Sequence, residues 1–242
     1  MDVFARNAGP ASPLWPLPLA AGLLPAVAAL AALWISIELG LIPPCNPLLD
    51  GCVSISRAGR HDLSNYIFRA LVLPAAVLQG LTWMLCAAWL KGMDTEARRL
   101  LRILPWLGVL AGVFLILYGT FLGTEGQAYR WMRHYGVIFY FGFTYLCMLI
   151  ASGALWRLAR AGLMTPPARL DWLLPGLCAI TLVVGLTQAF VPRFLDSEDL
   201  KNRLENILEW NAALSFTLFF LAMAWLWRHT RFTAQLSGSK RS

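Results

Sequence analysis

The sequence predicts an all-α bundle of six transmembrane helices with both termini in the cytoplasm. Three observations carry that reading. Of 242 residues, 58% are hydrophobic and 14% charged, where a soluble domain carries roughly 25% charged residues. Six apolar runs reach the ~20 residues needed to cross a hydrocarbon core of ~30 Å. The 11 Trp, 13 Phe and 6 Tyr suit a protein with two membrane–water interfaces, where aromatic rings collect. No polar stretch is long enough for a soluble domain, so residues 1–242 read as one membrane domain with short loops.

The first run covers 19–39 and follows a proline-rich, irregular tail (1–17). Its apolar core is too long for a signal peptide, and no small-residue cleavage site precedes Glu38, so an uncleaved helix is expected. An outer loop (40–65) comes next. Pro44, Pro47 and Gly51 make the segment CNPLLDGC turn-rich, and a Cys45–Cys52 disulfide is expected if the loop faces an oxidising compartment. The next runs are 67–90, 104–122, 137–156 and 172–191. Cys86, Cys147 and Cys178 fall inside them and read as small apolar packing residues. Ser197 can cap a helix whose first turn holds Glu198 and Asp199. Leu200, Leu204, Ile207 and Leu208 continue at helical spacing. An outer extension (197–206) should therefore run unbroken into the sixth span (207–227), on the order of 50 Å in all, before a cytoplasmic tail (230–242).

Orientation follows from basic residues. The face holding the termini carries 12 Lys and Arg and the opposite face 8, which favours cytoplasmic termini. The formal charge of +7 then belongs to a face near anionic headgroups. It implies no nucleic-acid partner.

Polar residues gather on the opposite face. The first outer loop holds Ser54, Ser56, Arg57, Arg60, His61 and Asp62, with Arg69 following at the mouth of the second span. The third loop holds Glu125, Gln127, Arg130, Arg133 and His134. The last helix opens with Glu205, Glu209, Trp210 and Asn211. Ionisable groups in a membrane tend to pair and to mark sites. Arg69, His134 and Glu209 at one depth therefore form either a functional site or a structural ion-pair network.

The segments SISRAG and YIFR, then GTEGQ and RHYGVIFYFGFTYL, then LEWN, resemble the Frag/DRAM/Sfk membrane proteins over roughly the whole chain. That family includes a damage-regulated autophagy modulator and a Golgi factor for fatty-acid remodelling of GPI anchors. The resemblance implies six spans and lipid remodelling. It matches Ser54, Ser56, Gly59 and Arg69 in the first loop, His134, Gly136, Phe139 and Tyr145 in the fourth span, and Glu209 and Trp210 at the last helix. The stretch HDLSN stands where family members often have a proline. An Ala-, Leu- and Arg-rich composition suggests a bacterial inner membrane, with Golgi or other endomembranes the alternative for a eukaryotic chain.

Two functions follow. In the first, the protein binds or remodels a membrane lipid, by acyl transfer or hydrolysis. His134 would be the general base, oriented by Glu125 or Glu209. Ser54, Ser56, Arg57, Arg69, Gln127, Trp210 and Asn211 would hold the substrate, the arginines on a phosphate. No GxSxG elbow or HxxxxD pattern is present. In the second, the same groups are a structural network in a non-enzymatic scaffold, with its protein partner unspecified. No cofactor or metal is expected: a zinc site on His61 and His134 lacks an HExxH motif. Gln79, Thr82 and Thr181 are uncharged, which argues against an ion-coupled transporter.

Overall fold

A computed structural model describes residues 12–93 and 98–234. Seven helices dominate it. They are α1 (Pro16–Glu38), the single-turn α2 (Ile55–Ala58), α3 (Asp62–Lys91), α4 (Arg98–Phe121), α5 (Gln127–Arg160), α6 (Leu170–Phe190) and α7 (Glu198–His229). All but α2 are long and apolar enough to cross a membrane. The protein is therefore an integral, multi-pass membrane protein.

The ends of the spans follow local chemistry. Ser197 Oγ accepts the Leu200 N–H at 3.4 Å and caps α7. Helix α7 then continues without interruption to His229. The termini share one face: β1 (Ser12–Pro13) pairs antiparallel with β2 (Thr233–Ala234). Most of the proline-rich tail and of the last tail lies outside the described residues.

The spans pack as a ring in the order α1, α3, α4, α5, α6, α7 and back to α1. Small residues set the close approaches, as in membrane bundles generally. A Cβ on Gly108 of α4 would strike Trp83 of α3, and one on Gly112 would lie 2.8 Å from the Ala76 carbonyl. At the α1–α7 crossing, a Cβ on Gly22 would lie 2.7 Å from Phe220 Cβ. Prolines 25, 74, 105 and 175 interrupt α1, α3, α4 and α6. Each strands a carbonyl one turn back. For Pro25 that carbonyl is Ala21, and Gln79 Nε2 donates to it from α3 at 3.0 Å.

Helix α6 departs from the rest. Its buried residues, Leu170, Leu174, Leu177, Cys178 and Thr181, lie between its start near the termini and a point one residue past its middle. Leu182, Val183, Leu186 and Phe190 beyond them are exposed. The helix thus joins the ring by one half only and presents the other half to lipid.

Candidate functional site

The ring encloses a cavity of about 320 Å³, within the usual range of roughly 300–1,000 Å³ for ligand pockets. Its walls are apolar and come from α1, α3, α4, α5 and α7, among them Ala29, Val72, Leu115, Phe141 and Phe220. Along α7 it runs from Glu209 to Phe220, eleven residues or about 16 Å of helix. Half of a hydrocarbon core is about 15 Å. Glu209 lies twenty residues from the α7 end at His229, about 30 Å above the terminal face. The cavity therefore occupies the half of the membrane away from the termini, with its polar end at the far interface.

The first outer loop closes that end, and α7 holds the loop down. Asn206 Nδ2 donates to the Gly51 carbonyl at 2.8 Å, Trp210 Nε1 to Val53 at 2.9 Å, and Asn211 Nδ2 to Leu48 at 3.2 Å. The Glu209 carboxyl lies beside the backbone N–H groups of Ile55 and Ser56 in α2, whose dipoles favour its charged form. Gly51 adopts a positive φ of 62°, and a Cβ there would run into the Arg203 carbonyl, so only glycine lets the loop lie this close to α7. Cys45 and Cys52 are joined by a disulfide with Cα atoms 6.5 Å apart.

Other helices pin the same loop. Ser36 Oγ of α1 donates to the Ala58 carbonyl at 2.7 Å. Asn65 Nδ2 of α3 donates to Gly59 at 2.9 Å and to Leu122 at 3.0 Å. Ser56 Oγ and the Tyr118 hydroxyl of α4 are 2.9 Å apart. Glu209, Arg60 and Arg133 all lie within electrostatic range of that hydroxyl. Glu209, Tyr118 and Ile55 line the cavity, so a carboxylate and two hydroxyls converge on its polar end.

The residues singled out from sequence divide into two groups. Glu209 and Trp210 line the cavity, Asn211 ties down the loop above it, and Ser56 bonds a cavity residue. Ser54 accepts the Arg57 N–H at 3.1 Å and so caps α2. His134, Glu125, Gln127 and Arg57 are exposed and Arg69 is half-buried, all outside the cavity lining. His134 packs edge-on against Tyr135, with ring centroids 5.4 Å apart. No hydrogen bond or ion pair joins His134 to Glu125 or Glu209 among the described residues, and no cluster of metal-ligating side chains occurs among them. Sequence reasoning missed Tyr118, Asn65, Asn206 and Ser36. Their signal was weak: single polar groups whose partners are backbone carbonyls or, for Tyr118, the Ser56 hydroxyl.

The ring and its capped cavity define a class, a polytopic helical membrane protein with an internal apolar chamber at the end of the bundle away from the termini. The family model for the Frag1/DRAM/Sfk1/Cwh43P N-terminal domain matches residues 13–229, and the chain belongs to that family. No curated protein and no solved structure matches it.

Proposed function

We propose that this protein binds a membrane lipid, with an acyl chain in the cavity and the polar end of the lipid beneath the first outer loop. The observation that carries the reading is the cavity itself: apolar walls over half a bilayer, ending at Glu209 and at Tyr118, whose hydroxyl meets that of Ser56. Water in such a chamber would find few partners, whereas a hydrocarbon chain matches its lining.

The finer reading is lipid remodelling, by acyl transfer or hydrolysis at an ester held at that polar end. Family membership supports it, as does the convergence of a carboxylate with two hydroxyls where the ester of a leaflet lipid lies. The lysine and arginine balance supports cytoplasmic termini, which would put the cavity in the non-cytoplasmic leaflet. The composition supports a bacterial inner membrane.

Native mass spectrometry with lipid identification tests this on the wild type and on Ala213→Trp, which fills the cavity from α7. One retained lipid per wild-type chain, absent from a folded Ala213→Trp, is the expected result. A wild type that carries no lipid from its own membrane overturns the binding reading. The same lipid recovered unaltered from wild type and from Ser56→Ala, with no turnover of it in vesicles, overturns the remodelling reading.

A scaffold role keeps one specific observation in its favour. Asn206, Trp210 and Asn211 all bond to loop backbone, so the polar stripe of α7 performs a structural task whether or not a lipid is bound.

A further inference from the structure

The cavity is not sealed on all sides. Leu30 of α1 and Leu214 of α7 line it, yet they are 58% and 41% exposed. Leu30 lies fourteen residues from the start of α1 and Leu214 fifteen from the end of α7, which is about 21 and 22 Å above the terminal face. The two side chains thus stand at one height, and that height is within a hydrocarbon core of ~30 Å. Below them, α1 and α7 are in close contact at Gly22 and Phe220. Above them, the helices are bridged by loop residues Asn46, Pro47 and Leu48, which also line the cavity. Between the crossing and the bridge, the wall is open to the membrane.

We infer that this gap is a lateral portal through which one acyl chain of a far-leaflet lipid slides into the cavity while its headgroup stays at the interface beside the Asn46–Leu48 bridge. The inference rests on the lipid-binding reading above and adds the route and the class of ligand. The occupant follows from position. At this depth the surface between α1 and α7 is covered by acyl chains, because nothing else in a bilayer reaches it. A chain in the leaflet already runs parallel to the cavity, so it enters by sideways motion and keeps its headgroup in water. Entry from above would require the disulfide-closed loop, α2 and their bonds to four helices to open.

Geometry also limits the chain. The crossing at Gly22 forms the floor, so the pocket accepts roughly half a bilayer of hydrocarbon, about 16 Å. The ester of a diacyl lipid then stops level with Glu209. A free fatty acid presents the same hydrocarbon and is the other source of such a chain.

The test uses full-length protein reconstituted in vesicles of deuterated phosphatidylethanolamine and phosphatidylglycerol, with deuterated oleic acid added in a parallel set. Retained deuterated lipid is read by native mass spectrometry after extraction at matched times. Leu214→Trp and Leu30→Trp narrow the portal, Ala213→Trp fills the cavity, and Leu186→Trp on the exposed half of α6 is the control. Uptake of one phospholipid by wild type and Leu186→Trp, slowed at least tenfold in both portal variants, is the expected result. Wild-type uptake rates in the portal variants, with loss in Ala213→Trp, would overturn the portal and leave the cavity standing. Unchanged uptake in all four variants would overturn the cavity reading itself. Uptake of oleic acid without phospholipid would overturn the diacyl-lipid assignment. Should one portal variant fail to fold, the other carries the test, since the two side chains lie on different helices.

Discussion

Replacing Gln79 by leucine separates two opposing effects at the contact between α1 and α3. The Ala21 carbonyl has no partner within α1, because Pro25 lacks an N–H. Gln79 Nε2 supplies the missing donor at 3.0 Å. Gln79→Leu orphans that carbonyl within the membrane, a loss of about 1–3 kcal/mol. The same substitution deletes Gln79 Oε1, which is buried near the Tyr140 hydroxyl but makes no well-formed hydrogen bond among the described residues. Removing a stranded polar atom returns a gain of similar size. The single variant should therefore be destabilised by less than about 1 kcal/mol, and its stability alone says little. In a Pro25→Ala background the new N–H at position 25 serves Ala21. Gln79→Leu then only removes the stranded oxygen, and its sign should reverse to a stabilisation of about 1 kcal/mol. The double-mutant cycle isolates a coupling of about 1–2 kcal/mol, above the ~0.6 kcal/mol average for interhelical hydrogen bonds in membranes. Unfolding of purified protein in mixed micelles of mild and denaturing detergent, followed by circular dichroism, measures all four variants. A coupling below about 0.3 kcal/mol would mean that the two sites act independently, and the account of Gln79 as the partner of a proline-freed carbonyl would be wrong.

Further expectations test the loop, the helix packing and the surface. Glu209→Ala should cost about 1–3 kcal/mol, because the Ile55 and Ser56 N–H groups lose the polar group beside them. Glu209→Gln, which keeps an acceptor oxygen, should cost about half as much, and hydrogen exchange at Ile55 and Ser56 should rise less in it than in Glu209→Ala. His134→Ala should change stability by less than about 0.5 kcal/mol and leave retained lipid unchanged. A loss of bound lipid in folded His134→Ala would restore that imidazole to the site. Gly108→Leu should cost at least about 1–3 kcal/mol, since its side chain meets Trp83 where α3 and α4 touch; wild-type thermal stability would contradict that packing. Cys86, Cys147 and Cys178 are buried, so a water-soluble maleimide should label none of them until the protein is denatured.

The six spans were legible because membrane crossing imposes one rule on every residue of a segment. Twenty apolar residues in a row report a helix without any knowledge of its neighbours. The extension of α7 was legible for a similar reason: Ser197, Glu198 and the Leu200–Leu204–Ile207 stripe are local signals. The site was legible only in part. The sequence places the first loop, the third loop and the start of α7 at one polar face; Glu209, Trp210, Asn211 and Ser56 meet there, whereas Glu125, Gln127 and His134 lie outside the cavity lining. The partners were not legible, because most are main-chain carbonyls and amides that carry no side-chain signature. Gln79 shows the limit well. Its amide was read as a sparse mid-membrane polar group, and its role appears only once Pro25, 54 residues earlier in the chain, lies beside it.

The same distinction bears on which polar groups remain free for a ligand. A carboxyl at the edge of the hydrocarbon looks like chemistry, but Glu209 sits beside the Ile55 and Ser56 N–H groups of α2. A carboxyl placed this way serves the loop while it lines the cavity. Asn206, Trp210 and Asn211 are likewise engaged by loop carbonyls. That leaves the Ser56 and Tyr118 hydroxyls, whose mutual bond uses one donor and frees one hydrogen for a third group. A ligand carbonyl at the polar end could take that hydrogen while Glu209 holds α2 in place. Substituting Glu209 and substituting Tyr118 should then differ in kind. Glu209→Ala should loosen the loop and release lipid together, whereas Tyr118→Phe should weaken lipid retention with the exchange rates of Ile55 and Ser56 unchanged. Equal loosening of the loop in both would make the whole cluster structural and leave the apolar walls as the cavity's only means of recognition.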